Sequence, residues 1–137
     1  GVTQAAIDVC DNPNPKTVYE AKFSLQHCVS IAILYGQFGF DSFDSEARQQ
    51  ASGLAKKFSL KCNEEFEKNY PDAWGAEVKV KLTNGKELSV RRKNAKGDPE
   101  ARLSPKEMLE KASLLFLAFL LKKVVPQDHP WRVFGGR

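Results

Sequence analysis

Long stretches of the chain repeat their apolar residues with helical spacing, and these stretches predict most of its secondary structure. Residues 24–35 are apolar on nearly every helical face and are followed by Gly36, so they predict a buried helix with a glycine cap. Residues 45–57 predict a second helix, capped by Asp44, whose polar character indicates a position on the surface.

Two shorter patterns precede these helices. The alternation of Ile7 and Val9 within residues 2–10 predicts a strand. Further along, Thr17 and Glu20 have the spacing of a capping box, which predicts the start of a helix.

Residues 76–92 predict a β-hairpin, whose register depends on the length of its loop. A two-residue loop at Asn84 and Gly85 would mix charged and apolar side chains on both faces. A three-residue loop, residues 83–85 with Gly85 left-handed, leaves one face wholly apolar and matches the charges on the other. We therefore expect the second register and a hairpin that packs on a core. Its pairs are Val80 with Leu88, Val78 with Val90, Lys81 with Glu87, and Glu77 with Arg91.

Ser104, Pro105 and Glu107 predict the start of a long final helix, which Pro126 must end at the latest. Its apolar residues cover more than one face: Met108, Leu109, Ala112, Leu114, Leu115, Phe116, Leu117, Phe119 and Leu121. A helix that is apolar all round needs cover on several sides. We expect residues 104–126 to pack on another domain or another subunit.

Together, the predicted elements form one soluble α+β domain over residues 1–137. In it, helices pack on a small antiparallel sheet and a long apolar helix lies at the C-terminus. The composition agrees with a folded domain. The 42% of hydrophobic and 28% of charged residues are typical of a folded globular chain. The N-terminus does not have the pattern of a signal peptide, and the chain has no apolar run of the roughly 20 residues that a membrane span needs. We expect a cytoplasmic protein. Because Met108 is the only methionine, we expect a fragment of something longer.

Cysteines and cationic residues indicate what the protein does not bind. Cys10, Cys28 and Cys62 are odd in number and widely spaced, which predicts small buried side chains in a reducing compartment and no zinc site or disulfide framework. A net charge of +4 permits an anionic partner. Residues 56–57 and 91–93 hold the cationic clusters, but no aromatic residues interleave with them, so nucleic-acid binding is not expected.

The residues that could carry chemistry are few, and His27 stands out among them. His27 and His129 are the two histidines, and no metal-binding pair, phosphate loop or nucleophile elbow accompanies them. His129 is expected to be exposed and without function. His27 lies at the start of an apolar helix, where free backbone N–H groups and Lys22 would favour a carboxylate or phosphate. The alternative is a buried histidine that a backbone carbonyl satisfies.

After this helix, Phe38, Phe40 and Phe43 surround Gly39 and Asp41. This spacing is compatible with a binding loop. Aromatic side chains that fill a small core produce the same pattern and are the commoner case.

Three segments carry a resemblance to a known family. The first and most distinctive is Pro15-x-Thr17-x-x-Glu20-Ala21-Lys22-Phe23-Ser24-Leu25-Gln26-His27-Cys28-Val29, followed by Ala32 and Gly36. The other two are Val78-x-Val80-x-Leu82-x-x-Gly85-Lys86-x-Leu88, and Lys96-Gly97-Asp98-Pro99 leading to Leu103-Ser104. They resemble the 2-methylcitrate dehydratase family, also called MmgE/PrpD. The resemblance covers residues 13–112, and the sequence departs from the family pattern after Ala112.

The resemblance implies a place for this chain in a larger enzyme. Members have a large all-helical domain and a smaller α+β domain, and the chain is similar to the smaller one. Their reactions include dehydration of 2-methylcitrate, decarboxylation of cis-aconitate and epimerisation of iminodisuccinate, all acid-base chemistry beside carboxylates without a required metal or cofactor. The implied protein is a polycarboxylate-acting lyase, inactive without its N-terminal helical domain and expected to be a homodimer. The alternative is a non-catalytic dimerisation or ligand-binding domain of the same ancestry.

The same resemblance implies roles for particular residues. In relatives the position matching His27 is often tyrosine and lies at the active site between the domains, which implies a proton-transfer or substrate-orienting role. Lys22, Ser24 and Gln26 are then expected to hold substrate carboxylates near the helix start. The family's other lysine, histidine and aspartate site residues lie upstream in the large domain. Because specificity depends on both domains, this chain does not reveal which polycarboxylate is used.

Overall fold

The protein is an α+β structure in which helices accompany a two-stranded antiparallel sheet. The computed structural model describes residues 1–124. Within them lie α1 (Gln4–Cys10), α2 (Val18–Lys22), α3 (Leu25–Tyr35), α4 (Ser45–Ala55), α5 (Glu64–Asn69), β1 (Ala76–Lys81), β2 (Glu87–Arg92), a short 3₁₀ helix (Pro99–Ala101) and α6 (Pro105–Val124). The chain divides into two compact units, Gly1–Ala95 and a second that begins at Lys96. The expectation of one domain over residues 1–137 stays a prediction.

The N-terminal segment is helical, so the strand predicted within residues 2–10 was wrong. The hydroxyl of Thr3 accepts the Ala6 N–H at 3.3 Å and caps α1. Only Val2 pairs as a strand would, through a parallel bridge to Cys62. The alternation of Ile7 and Val9 was too short to outweigh this cap and the high helix propensity of alanine.

The predicted cap at Thr17 and a second cap at Ser24, which was not predicted from the sequence, set up a tight corner between α2 and α3. Thr17 Oγ1 accepts the Glu20 N–H at 3.1 Å, while the Glu20 carboxylate reaches back to the Lys16 N–H at 2.5 Å. Ser24 then caps α3, only two residues after α2 ends at Lys22. The corner therefore holds the segment that carries the strongest family resemblance.

The core of the first unit lies between α3 and α4. Gly36 ends α3 in the left-handed conformation, with a φ of 72°, and so confirms the predicted glycine cap. Helix α4 ends at Ala55, two residues before the predicted end, and its buried alanines Ala47, Ala51 and Ala55 form a stripe at i, i+4, i+8. Because alanine side chains are small, the two helices approach closely, and Ile31 is fully buried between them with Ala47 and Ala51.

Only the first half of α3 is buried, so the prediction of a wholly buried helix was partly wrong. Ser24, Gln26, His27 and Ile31 are each at most 1% exposed. The last turn is open, with Ile33, Leu34 and Tyr35 near half exposed. About half of the surface of these three side chains is left uncovered by the described residues of the chain.

The hairpin has the predicted register, but its apolar face stays exposed along β2. The four predicted pairs all form, and Gly85 has a φ of 85°. Arg91, on the charged face, lies 4.6 Å from the Phe66 ring centroid and 2.5 Å from the Glu65 carboxylate. Helix α5 therefore packs on the charged face. The expectation that the apolar face packs on a core is met only in part, since Val78 and Val80 on β1 are partly buried whereas Leu88 and Val90 on β2 are 45% and 62% exposed.

In the second unit, α6 starts with the predicted capping box. Ser104 Oγ accepts the Glu107 N–H at 3.3 Å, and the Glu107 carboxylate accepts the Ser104 N–H at 2.8 Å. Leu109, Leu114 and Phe116 are all more than 60% exposed. The expected end of this helix at Pro126 and its packing partner fall outside the described residues, as does His129.

None of the helices within residues 1–124 combines the length and apolarity that a bilayer span requires. The same residues contain no group of three or more histidine, cysteine, aspartate or glutamate side chains that could hold a metal ion. The cysteines are free thiols, and none of the three is fully buried: Cys10 and Cys28 are partly exposed and Cys62 is exposed, so the prediction of three buried cysteines was wrong. Burial raises the pKa of the half-buried Cys28 thiol.

Candidate functional site

A buried polar cluster surrounds the first turn of α3, where the sequence places the candidate site. Ser24, Gln26 and His27 are each 1% exposed, an unusual enrichment of polar side chains in the core of a small domain. Each of them is held by a residue distant in sequence. The cluster therefore exists only because α1, α3 and the loop before α4 meet here.

Ser24 and Gln26 tie α3 to the segment that follows α1. Ser24 Oγ donates to the Asn12 carbonyl at 2.5 Å and accepts the His27 N–H at 3.0 Å. Gln26 Nε2 donates to the carboxylate of Asp11. The remaining amide oxygen, Gln26 Oε1, is buried without a hydrogen-bond partner among the described residues. Both side chains are thus engaged within the chain.

His27 is bound to the loop on its other side. Its Nε2 lies 2.7 Å from the carbonyl oxygen of Ser42. The ring also lies beside Phe43, at 5.8 Å between centroids. This contact is the one expected if His27 is a structural residue, that is, a buried imidazole whose hydrogen bond is made to a backbone carbonyl.

Lys22 differs from the other three candidates because it is exposed. It is the last residue of α2 and forms no ion pair with a described residue. The structure thus brings Ser24, Gln26 and His27 into one cluster and leaves Lys22 on the surface near the α2–α3 corner. Its charge is free to meet an anion in solution.

The loop of residues 37–44 carries an aromatic surface next to the cluster. Phe43 is half-buried and stacks on Phe38 at 6.1 Å between ring centroids. Phe38 and Phe40 are 49% and 67% exposed. Of the two alternatives for these residues, core filling therefore applies only to Phe43.

Sequence reasoning missed Asp11, Asn12 and Ser42, which hold the cluster together. Each lies at least 12 residues from its partner in the chain. The Asp11 side chain and the two carbonyls have no local motif that would mark them. Only the folded chain reveals these contacts.

The cationic side chains on the charged face of the hairpin are each paired with an acidic residue. Lys79 lies 3.3 Å from Glu77, Lys81 lies 3.9 Å from Glu87, and Arg91 bonds Glu65. The charged face of the hairpin therefore offers no continuous cationic strip for a nucleic acid.

Comparison with known families identifies the domain. The family model described as the MmgE/PrpD C-terminal domain matches residues 1–125. The chain belongs to the MmgE/PrpD family. No curated protein matches the chain. The α2–α3 corner and the hairpin of this MmgE/PrpD domain are two of the segments that carry the resemblance.

Proposed function

We propose that the chain is the small domain of a polycarboxylate-acting lyase, similar to a 2-methylcitrate dehydratase or a cis-aconitate decarboxylase. Membership of the MmgE/PrpD family carries this proposal. The proposed chemistry is acid-base catalysis beside carboxylates, without a cofactor, in the cytoplasm. The buried cluster at the α2–α3 corner is the part of the domain that we assign to the active site.

In this proposal His27 transfers a proton or orients the substrate. Imidazole changes protonation state near neutral pH and serves as either acid or base. The ring is buried, and its contacts with Ser42 and Phe43 hold it in one orientation, as a catalytic or orienting role requires. Among the described residues it is the one histidine, so no other imidazole competes for the role.

Lys22 is the proposed contact for a substrate carboxylate. Its exposed ammonium group lies near the start of α3, where the helix dipole also favours negative charge. We keep Ser24 and Gln26 as proposed substrate residues. Because both are buried in bonds to Asn12 and Asp11, they would have to exchange those bonds to contact a carboxylate.

The proposed partners are a helical domain in the same longer protein and a second subunit. Apolar side chains that lack cover support this part: Val90 on the hairpin, and Leu109 and Phe116 on α6, are each more than 60% exposed. Exposed apolar surface of this kind, taken on each unit by itself, is typical of an interface. Residues of the helical domain would supply the remaining acid-base groups.

A non-catalytic dimerisation or ligand-binding domain of the same ancestry is the second candidate. The bond from His27 to the Ser42 carbonyl favours it, because the imidazole is already satisfied within the domain. The upstream reading frame separates the two. A preceding helical domain with the family's lysine and histidine would support the enzyme, and a frame without one would support the binding domain.

His27→Ala in the longer protein tests the catalytic role. The substitution leaves the Ser42 carbonyl unpaired and a cavity beside Phe43, so we expect roughly 1–3 kcal/mol lower stability. If His27 transfers a proton, turnover per folded molecule should also fall by about 10²-fold or more. Melting temperature and turnover of 2-methylcitrate and cis-aconitate are measured together.

His129→Ala is the matched control, because it removes the other histidine of the chain. It should leave turnover near that of the wild type. A destabilised His27→Ala protein whose folded molecules still turn over at the normal rate would rule out the catalytic role.

A further inference from the structure

The contact between His27 and Ser42 determines where the proton sits on the imidazole. A backbone carbonyl oxygen only accepts hydrogen bonds, so the ring nitrogen 2.7 Å away must donate. That nitrogen is Nε2. In the neutral ring the second nitrogen, Nδ1, therefore carries the lone pair.

The loop holds this carbonyl in place from both sides. Ser42 is 7% exposed, and its Oγ accepts the Gly39 N–H at 2.7 Å while its own N–H donates to the Gly39 carbonyl at 3.3 Å. On the other side, Arg48 Nη1 donates to the Phe43 carbonyl at 2.6 Å. Neither ring tautomerisation nor a ring flip can occur without breaking the bond at Nε2.

The other nitrogen remains available. No described residue forms a hydrogen bond with Nδ1 of His27. Nδ1 is therefore the ring nitrogen of His27 that no described residue occupies.

We propose that Ser42 is a positioning residue that holds His27 as the Nε2–H tautomer, and that Nδ1 is the nitrogen through which His27 moves the proton. This inference rests on the proposed function. When the substrate is deprotonated, Nδ1 takes the proton and the bonding pair stays on the substrate. The ring becomes an imidazolium ion that still donates from Nε2 to Ser42. Delivery of the proton from Nδ1 to the leaving group restores the starting tautomer.

Nitrogen-15 NMR of the chain tests the tautomer without any assay of activity. His129→Gln serves as the background, because it leaves His27 as the only imidazole. At a pH where the ring is neutral, we expect the two-bond correlation pattern of a protonated Nε2 and an unprotonated Nδ1. A pattern with the proton on Nδ1 overturns the inference.

Variants at Ser42 test the positioning role. Ser42→Ala removes the hydroxyl that holds the loop at Gly39, so a measurable fraction of the Nδ1–H tautomer should appear. Ser42→Thr keeps a hydroxyl and should restore the wild-type spectrum. Ser52→Ala is the matched control, since it removes a serine bond to the Gln49 carbonyl on α4 and should leave the tautomer unchanged. An unchanged spectrum in Ser42→Ala contradicts the role of this side chain.

Two substitutions of His27 in the longer protein separate the roles of the two nitrogens. A glutamine amide reaches the position of Nε2 and can still donate to Ser42, whereas an asparagine amide reaches only that of Nδ1. His27→Gln should keep the wild-type melting temperature yet lose about 10²-fold or more in turnover. His27→Asn should lose melting temperature as well. Normal turnover per folded His27→Gln molecule overturns the role of Nδ1.

The two experiments also separate this inference from the proposed function. A proton on Nδ1 in the spectrum, combined with inactive His27 variants, overturns the inference and leaves His27 as a catalytic residue. A protonated Nε2 combined with normal turnover in His27→Gln supports the positioning by Ser42 and overturns proton transfer by His27.

Discussion

At the scale of single residues, close packing around Phe66 leaves room for no side chain at Gly75. A β-carbon on Gly75 would overlap the Phe66 ring, which is 3% exposed and held under Arg91. Gly53, in the middle of α4, has no heavy atom within 4 Å of the same position. Packing therefore requires glycine at position 75 but not at position 53.

Alanine substitutions at these glycines should change stability in opposite directions. Gly75→Ala overpacks the Phe66 site and should lower the free energy of unfolding by about 1–3 kcal/mol. Gly53→Ala should raise it by about 0.5–1 kcal/mol, because alanine restricts the unfolded chain and favours the helix. Urea denaturation of both variants measures the difference, and a shift of both in the same direction would contradict the packing argument.

Residues whose partners are close in sequence were predictable, and those with distant partners were not. Ser24 and Ser104 each cap a helix through an N–H three residues ahead, so their roles follow from the local sequence. The bonds from Ser24 to Asn12 and from His27 to Ser42 span 12 and 15 residues. No periodicity or motif encodes contacts of that range.

At the scale of elements, the start of α6 depends on an ionised glutamate. The side chain of Lys96, and then the N–H and hydroxyl of Ser104, lower the pKa of Glu107 from 4.5 to about 2. Because the folded pKa lies below the unfolded one, the stabilisation is fully present above about pH 4.5. It is lost as the pH falls towards 2.

Carbon-13 NMR titration of the carboxyl groups should place the Glu107 midpoint near pH 2. Lys96→Met removes the largest cause and should raise this pKa towards its ordinary value. Lys106→Met is the control, since Lys106 contacts Glu110 instead, and it should leave the Glu107 midpoint in place. A Glu107 midpoint that is the same with and without Lys96 would refute the assignment.

The exposed apolar face of the hairpin should tolerate polar substitution in the chain by itself. Val90→Thr keeps the side-chain volume, and at 62% exposure it should change the free energy of unfolding by no more than about 0.5 kcal/mol. Ile31→Val, at a position that is 0% exposed, should cost about 0.5–1.5 kcal/mol. Urea denaturation compares the two variants. A larger loss for Val90→Thr than for Ile31→Val would show that the face is covered within the chain.

Some elements were readable from the sequence and others were not. The hairpin register follows from matching charges and apolar residues across the strands, and the structure confirms it. Helix α5 was missed, although Asn63 as its cap and the acidic Glu64 and Glu65 in its first turn are signals for a helix start. Helix α1 was mistaken for a strand because two alternating residues are too few to establish a period.

At the scale of the whole molecule, the proposed function requires acid-base groups from outside this chain. Residues 1–124 contain a single histidine and no group of side chains suited to bind a metal. If the remaining acid-base groups belong to a helical domain, the purified 137-residue chain should turn over neither 2-methylcitrate nor cis-aconitate. The longer protein serves as the positive control. Turnover by the chain above a reaction without enzyme would contradict the proposal.

The sequence by itself determined the features that depend on neighbours along the chain. These are the helix caps at Thr17, Asp44 and Ser104, the hairpin register and the resemblance to the MmgE/PrpD family, because caps, turns and motifs are encoded by residues a few positions apart. Only the tertiary structure decided which face of the hairpin is covered. The alternation of polar and apolar residues along a strand separates the two faces of the hairpin. It does not say which face α5 contacts, and that contact forms in the folded chain between Arg91 and the Phe66 ring.

The environment of His27 was likewise decided by the fold alone. The sequence showed His27 as an ionisable residue in an apolar helix and left two interpretations open, a functional residue or a buried structural one. The folded loop then places the Ser42 carbonyl 2.7 Å from Nε2, which assigns the proton to that nitrogen. This contact depends on how residues 37–44 fold back against α3. The conformation of that loop is set by packing in the whole domain, so no local run of residues encodes it.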